Sequence, residues 1–175
     1  MLNSRRAFLS ALKKPLDKTN EEVFLRPPYG LNESLFQSEC PKCETKDCAT
    51  HCEEEIIIIK SDGTPTLNLK NSGCTFCDEC ANKCQHNVLN LDHIGYKDKI
   101  NASFFIIPEK CMAHNKTICF SCKEPCLDDA ILFKGMFNPV IDMDRCTGCG
   151  FCLSRCPTNA IVYKPFKMEG DTNES

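Results

Sequence analysis

The sequence contains no tryptophan, and no stretch of it approaches the roughly 18 consecutive apolar residues of a membrane-spanning helix. Its apolar residues come in short runs such as Ile56–Ile59. A chain of 175 residues forms one or two small domains, and cores this small need a staple, either disulfides or metal. Walker loops, Rossmann glycine runs and nucleophile–base triads are absent too. Nothing suggests a substrate site of the chain's own, and the expectation is a non-enzyme with no nucleic-acid partner that is not an integral membrane protein. Ser4-Arg5-Arg6-Ala7-Phe8-Leu9 has the look of a twin-arginine export signal. Lys13, Lys14, Pro15, Asp17 and Lys18 interrupt the apolar segment such a signal requires. The expected compartment is therefore the cytoplasm, where disulfides are rare.

Cysteine, by contrast, is abundant: sixteen residues in four groups of four. The groups are Cys40, Cys43, Cys48 and Cys52; Cys74, Cys77, Cys80 and Cys84; Cys111, Cys119, Cys122 and Cys126; and Cys146, Cys149, Cys152 and Cys156. The second and fourth read C-x2-C-x2-C-x3-C, and Pro157 completes the bacterial iron–sulfur run in the last. A cubane needs four thiolates at the corners of a tetrahedron. Three cysteines at this spacing wrap one side of it, and loop N–H groups can then point at its sulfurs. Zinc ribbons use paired C-x2-C knuckles and leave the third cysteine superfluous. A secreted disulfide framework lacks its signal peptide. The pattern predicts four [4Fe–4S] clusters. Gly148 and Gly150, between cysteines of the last group, supply the positive φ such a loop needs.

The first and second groups begin 34 residues apart and the third and fourth 35, with a strand–turn–strand pattern in each interval: Ile56–Lys60 and Thr66–Leu69, then Ala130–Lys134 and Pro139–Asp142. Closing strands are expected at Asn87–Leu91 and Asn159–Tyr163, and Phe104–Ile107 as a further core strand. The predicted fold is α+β: two tandem bacterial 2[4Fe–4S] ferredoxin-like modules of short strands and short helices. Module 1 spans 36–94 and module 2 spans 104–164, joined by a linker at 95–103. Residues 1–35 form a basic arm and a Pro-stiffened connector, and 165–175 a polar tail.

In two-cluster units of this type the fourth cysteine of a run ligates the other cluster. Adjacent exchange gives four ligand sets: Cys40, Cys43, Cys48 and Cys84; Cys74, Cys77, Cys80 and Cys52; Cys111, Cys119, Cys122 and Cys156; Cys146, Cys149, Cys152 and Cys126. A nested exchange, first group with last and second with third, is the alternative. The enlarged spacings Cys43-x4-Cys48 and Cys111-x7-Cys119 are expected to displace loop amides and make those two sites differ in potential or lability. His51, His86, His93 and His114 are scattered and read as surface or hydrogen-bonding residues.

The formal charge is −3 with neutral thiols. Each cubane held by four thiolates adds about −2, so a fully loaded chain sits near about −11. Residues 1–28 are basic instead, and Arg5 and Arg6 are candidate docking residues. Glu53, Glu54 and Glu55 beside Cys52 are expected to lower the nearby potential.

Ser4-Arg5-Arg6, then Arg26-Pro27-Pro28-Tyr29, Glu33 and Phe36, precede these four groups. Together with the long Cys111–Cys119 gap, the arrangement resembles the NapF family, ferredoxin-type accessory proteins of bacterial periplasmic nitrate reductase systems, over residues 4–164. The Cys43-x4-Cys48 spacing departs from the family's more regular pattern. The resemblance implies a cytoplasmic protein with four [4Fe–4S] clusters. Its implied partner is the unexported, molybdenum-containing catalytic subunit, whose maturation it would assist by delivering electrons or clusters. The alternatives are an electron-transfer ferredoxin or iron–sulfur subunit of a respiratory oxidoreductase, and a redox or iron sensor.

Overall fold

Among the described residues, short apolar runs bounded by turn-forming residues make three two-stranded antiparallel sheets. The computed structural model describes residues 23–30, 32–92 and 99–168. Arg5, Arg6 and His93, much of the expected linker and the end of the tail lie outside those residues.

Helix α1 (Glu33–Glu39) starts at Asn32, whose side chain accepts a hydrogen bond from Leu35 N at 3.0 Å, and buries Phe36. A single 3-10 turn follows at Cys40–Lys42, then the one-turn helix α2 (Asp47–Thr50). Strands β1 (Ile57–Ile59) and β2 (Pro65–Leu67) pair in the register Ile57↔Leu67. The tight turn between them is held by Asp62, which accepts from Thr64 N at 2.8 Å. Helix α3 (Glu79–Asn82) carries Cys80. Strand β3 (Ala102–Ile106) pairs with β6 (Ile161–Pro165), and β4 (Ile131–Phe133) forms a hairpin with β5 (Pro139–Ile141). Helix α4 (Phe151–Arg155) lies between β5 and β6 in sequence. This is a small α+β architecture of short helices and two-stranded sheets.

One expected strand fails to form. Asn87–Leu91 makes only an isolated bridge, Leu89↔Gly30, with Asn90 N donating to Tyr29 O at 3.0 Å. The opposing chain reads Pro27-Pro28, which has no N–H to extend the ladder. The corresponding segment near the C-terminus meets β3, which keeps its donors, and there a five-residue strand forms.

Residues 25–30, read as a connector, are in fact buried. Leu25 O accepts from Leu67 N at 2.8 Å and from Thr66 Oγ1 at 2.9 Å. Arg26 is 1% exposed. Its guanidinium is forked onto the Glu33 carboxylate, donates to Thr64 Oγ1 at 3.0 Å and to Pro65 O, and stacks over Phe36 at 4.9 Å. Tyr29 and Phe36 are fully buried, and a Cβ on Gly30 would strike the Phe36 ring at 2.5 Å. Arg26, Tyr29, Glu33 and Phe36, four of the residues that marked the family resemblance, thus form one latch, which ties the entering chain to α1 and to the β1–β2 turn.

The two halves share their packing. Asn101, 3% exposed, accepts from Arg26 N at 2.8 Å and donates to Phe24 O at 2.9 Å and Phe166 O at 3.0 Å. Leu25, Leu69 and Val88 belong to the same buried cluster as Ile100, Phe104 and Ile161.

Candidate metal centres

All sixteen cysteines are free thiols, and they line four hollows, four to each. Cys40, Cys43, Cys48 and Cys84 surround the first hollow; Cys52, Cys74, Cys77 and Cys80 the second. Cys111, Cys119, Cys122 and Cys156 surround the third; Cys126, Cys146, Cys149 and Cys152 the fourth. In every case the last cysteine of one group sits with the first three of its neighbour. Counting their open mouths, the hollows measure ≈ 400, 390, 340 and 330 Å³ in that order. Among the described residues, no three side chains of His, Cys, Asp or Glu converge on a point where a single metal ion would sit. The sulfurs ring a space instead, which is the donor arrangement a polynuclear cluster requires.

Short helices explain how three of the four groups serve two hollows, and a run of turns at residues 121–125 does the same in the third group. Cys48 lies on α2, and Cys52 follows one turn later into the next hollow. Cys80 and Cys84 repeat this from α3, and Cys152 and Cys156 from α4. Beyond each fourth cysteine the chain reverses in the same way. The third residue on has positive φ: Glu55 52°, Asn87 58°, Asp129 49° and Asn159 50°. Its N–H returns to the cysteine carbonyl at 2.9, 3.3, 3.5 and 3.2 Å respectively. The reversal aims backbone N–H groups at sulfur. Leu89 N donates to Cys84 Sγ at 3.4 Å, Ala130 N to Cys126 Sγ at 3.3 Å and Ala160 N to Cys156 Sγ at 3.2 Å.

Gly148 and Gly150 have φ of 78° and 91°, the left-handed region that glycine enters without penalty. In the second group the same two places are held by Phe76 (φ 54°) and Asp78 (φ 66°). Sequence reading missed both, because neither is a glycine. Their offsets from Cys77 and Cys80 were the available signal. Phe76 N donates to Cys74 Sγ at 3.4 Å, so the strained backbone serves to deliver an amide to a ligand. Lys46 (φ 51°) occupies the second of these positions in the first group, and its ammonium bonds to Cys40 O and, at 2.9 Å, to Gly63 O. In the third group neither position has positive φ; the left-handed residue is Lys116, inside the insertion. That insertion is tightly folded. Ala113 is 1% exposed, and Asn115 Nδ2 donates to Pro108 O, Glu109 O and Cys111 O at 3.1, 3.2 and 2.8 Å.

Burial holds many of the thiols that line the hollows in their protonated form. Burial, followed by the neighbouring Cys48 and Cys84 sulfurs, pushes the Cys40 thiol up to about 12. Burial likewise raises Cys74 to about 12 and Cys48 and Cys122 to about 11, and it raises Cys80, Cys146, Cys149 and Cys152. Cys156 goes the other way: burial raises it, but N–H groups of Ala160, Thr158 and Ile161 outweigh burial and bring it below the usual thiol value. Tyr29 lines the second hollow with Pro28, and burial and then the adjacent Asp78 carboxylate hold its hydroxyl protonated. His51 and His86 flank the first hollow's loops, and His86 faces Glu39 at 3.9 Å. His114 Nε2 donates to Pro139 O at 3.1 Å. Among the described residues, no helix is long and apolar enough to cross a membrane.

Residues 139–162 match the model of the 4Fe-4S binding domain family, a stretch that runs from β5 through the fourth cysteine group into β6. The chain is 33% identical over 142 residues to "Ferredoxin-type protein NapF" of Escherichia coli strain K12, covering 79% of this chain and 83% of that protein. It is 32% identical over 151 residues to "Ferredoxin-type protein NapF" of Haemophilus influenzae, covering 83% and 82%. "Methylamine utilization ferredoxin-type protein MauM" of Methylobacillus flagellatus is 30% identical over 164 residues, covering 83% and 69%.

Proposed function

Because this chain belongs to the NapF family of ferredoxin-type proteins, we propose that each of its four hollows holds one [4Fe–4S] cluster and that the chain assists a molybdenum-containing catalytic subunit of periplasmic nitrate reductase before that subunit is exported. The observation that carries the cluster assignment is the gathering of four cysteines around each of four separate hollows. When bound, such a group supplies one-electron storage and release. The chain's residues do the rest. Cysteines exchanged between neighbouring groups clamp the two sites of each half together. Backbone N–H groups of Phe76, Leu89, Ala130 and Ala160 stabilise thiolate charge. The hydrophobic wall of Ile56, Leu67 and Tyr29 keeps water from much of the second site.

The partner reading rests on kinship with NapF and on the basic residues around Arg5 and Arg6, and the working compartment is the cytoplasm. No substrate site of the chain's own enters the proposal. Anaerobic purification should yield iron and inorganic sulfide in equal amount, about four of each per hollow; a colourless, folded, iron-free chain would end the assignment. Pull-down with the unexported catalytic subunit tests the partner. Arg5→Ala/Arg6→Ala should weaken capture, and full retention would remove the arm as the docking element.

A second reading is a general electron carrier or the iron–sulfur subunit of a respiratory oxidoreductase. The similarity to a ferredoxin-type protein named for methylamine utilization favours keeping it, since this architecture accompanies more than one enzyme system. Stable stoichiometric copurification with a catalytic subunit after export would support this reading over the first.

A further inference from the structure

The second and fourth hollows meet where the two halves join. Cys74 N donates to Cys149 O at 2.7 Å, so a lining residue of one hollow is hydrogen-bonded directly to a lining residue of the other. No side chain fits beside this contact. A Cβ on Gly73 would lie 2.6 Å from Phe151 N and 2.7 Å from Cys149 O, both backbone atoms. A Cβ on Gly150 would lie 2.7 Å from Leu69 Cδ1. Ile100 N donates to Thr147 O at 2.9 Å on the same face.

The uneven cysteine spacings sort themselves by this join. Both groups without inserted residues, starting at Cys74 and Cys146, form it. Both groups with enlarged spacing, starting at Cys40 and Cys111, give three cysteines each to the first and third hollows, which lie away from it. Within each half, neighbouring hollows are connected by a single helical turn: Cys48 to Cys52, Cys80 to Cys84 and Cys152 to Cys156.

We infer that electrons cross the molecule at the Cys74–Cys149 contact, so that the sites are connected in the order first, second, fourth, third, and that Gly73 and Gly150 are positioning residues that hold this gap closed. The inference rests on the four-cluster reading above. Each step moves one electron from a reduced site to an oxidised neighbour; no bond is made or broken. The two enlarged loops then stand at the two ends of the path, where a donor and an acceptor can approach.

The test is electron paramagnetic resonance on the full chain, purified without oxygen and reduced with dithionite, with iron and sulfide measured on each sample. Wild type should show one set of interacting spins that spans both halves. Gly73→Val should keep its iron and lose the interaction between halves while retaining the interaction within each. The milder Gly73→Ala should weaken it. Gly135→Ala is the control, since Gly135 is also a positive-φ glycine but has nothing within 4 Å; it should leave the spectrum unchanged. Cys43→Ala/Cys119→Ala, which removes one ligand from each outer site, should leave a coupled pair. Iron-loaded wild type that resolves into two non-interacting pairs overturns the inference, and so does fully loaded Gly73→Val with unchanged coupling. Wild type without iron would instead refute the cluster assignment on which the inference stands.

Discussion

Left-handed residues recur at fixed offsets from the cysteines, and they separate what a side chain costs from what a backbone delivers. Gly148 and Phe76 occupy equivalent places, yet only the first is free of Cβ strain. Gly148→Ala would combine φ of 78° with a Cβ 3.2 Å from the Phe104 ring. A loss of about 1–2 kcal/mol is expected, read as a lower guanidinium concentration for bleaching of the iron–sulfur chromophore. The thiols carry a second consequence. Burial keeps Cys40 and Cys74 protonated up to about 12, so the metal-free chain holds protons at neutral pH that ligation must release. Loading should therefore strengthen as pH rises and weaken as it falls. Proton release during anaerobic reconstitution, followed at two pH values, checks the sign.

At the level of elements, the Arg26 latch and the Asn115 loop do unlike jobs. Arg26 joins three segments far apart in sequence, and its removal leaves Glu33, Thr64 Oγ1 and Pro65 O short of a donor. Arg26→Leu should cost about 3 kcal/mol, near the low end for a broken buried pair because Glu33 is partly exposed. Lysine should not restore the loss, since a point charge cannot reproduce the planar fork; chaotrope-induced bleaching of wild type and both variants measures this. Asn115, in contrast, acts on one loop. Asn115→Ala removes three bonds to carbonyls around Cys111, and the third site should lose iron in air faster than the other three. Iron counted against time of oxygen exposure tests it; uniform loss from all sites would contradict it.

Charge is spread unevenly over the whole molecule. Glu53 and Glu54 line the second hollow, and Ser72 Oγ donates to Glu54 at 2.5 Å. The C-terminal counterparts of these two glutamates, after Cys126, are Leu127 and Asp128. Glu53→Gln/Glu54→Gln should raise the reduction potential of the second site by some tens of millivolts per charge, from Coulomb's law at an effective dielectric between protein and water. Redox titration of the four sites would show the shift confined to one of them.

Cysteine spacing carried the local chemistry, namely which residues cluster as ligands, and the apolar runs around Ile57–Ile59, Ile131–Phe133 and Phe104–Ile106 marked strands that do pair. Gly148 and Gly150 were legible because glycine announces positive φ, whereas Phe76, Asp78 and Lys46 carry no such mark. The chain's linear order could not decide which fourth cysteine joins which hollow, because adjacent and nested exchange use the same spacings. Nor could it show that Pro27-Pro28 denies Asn87–Leu91 a strand partner, or that a presumed connector buries an arginine. Those outcomes depend on contacts between residues distant in sequence. The Cys74–Cys149 contact is of the same kind: two loops that each read as complete by themselves fit together because glycine at 73 lets backbone touch backbone and glycine at 150 leaves room for the Leu69 side chain.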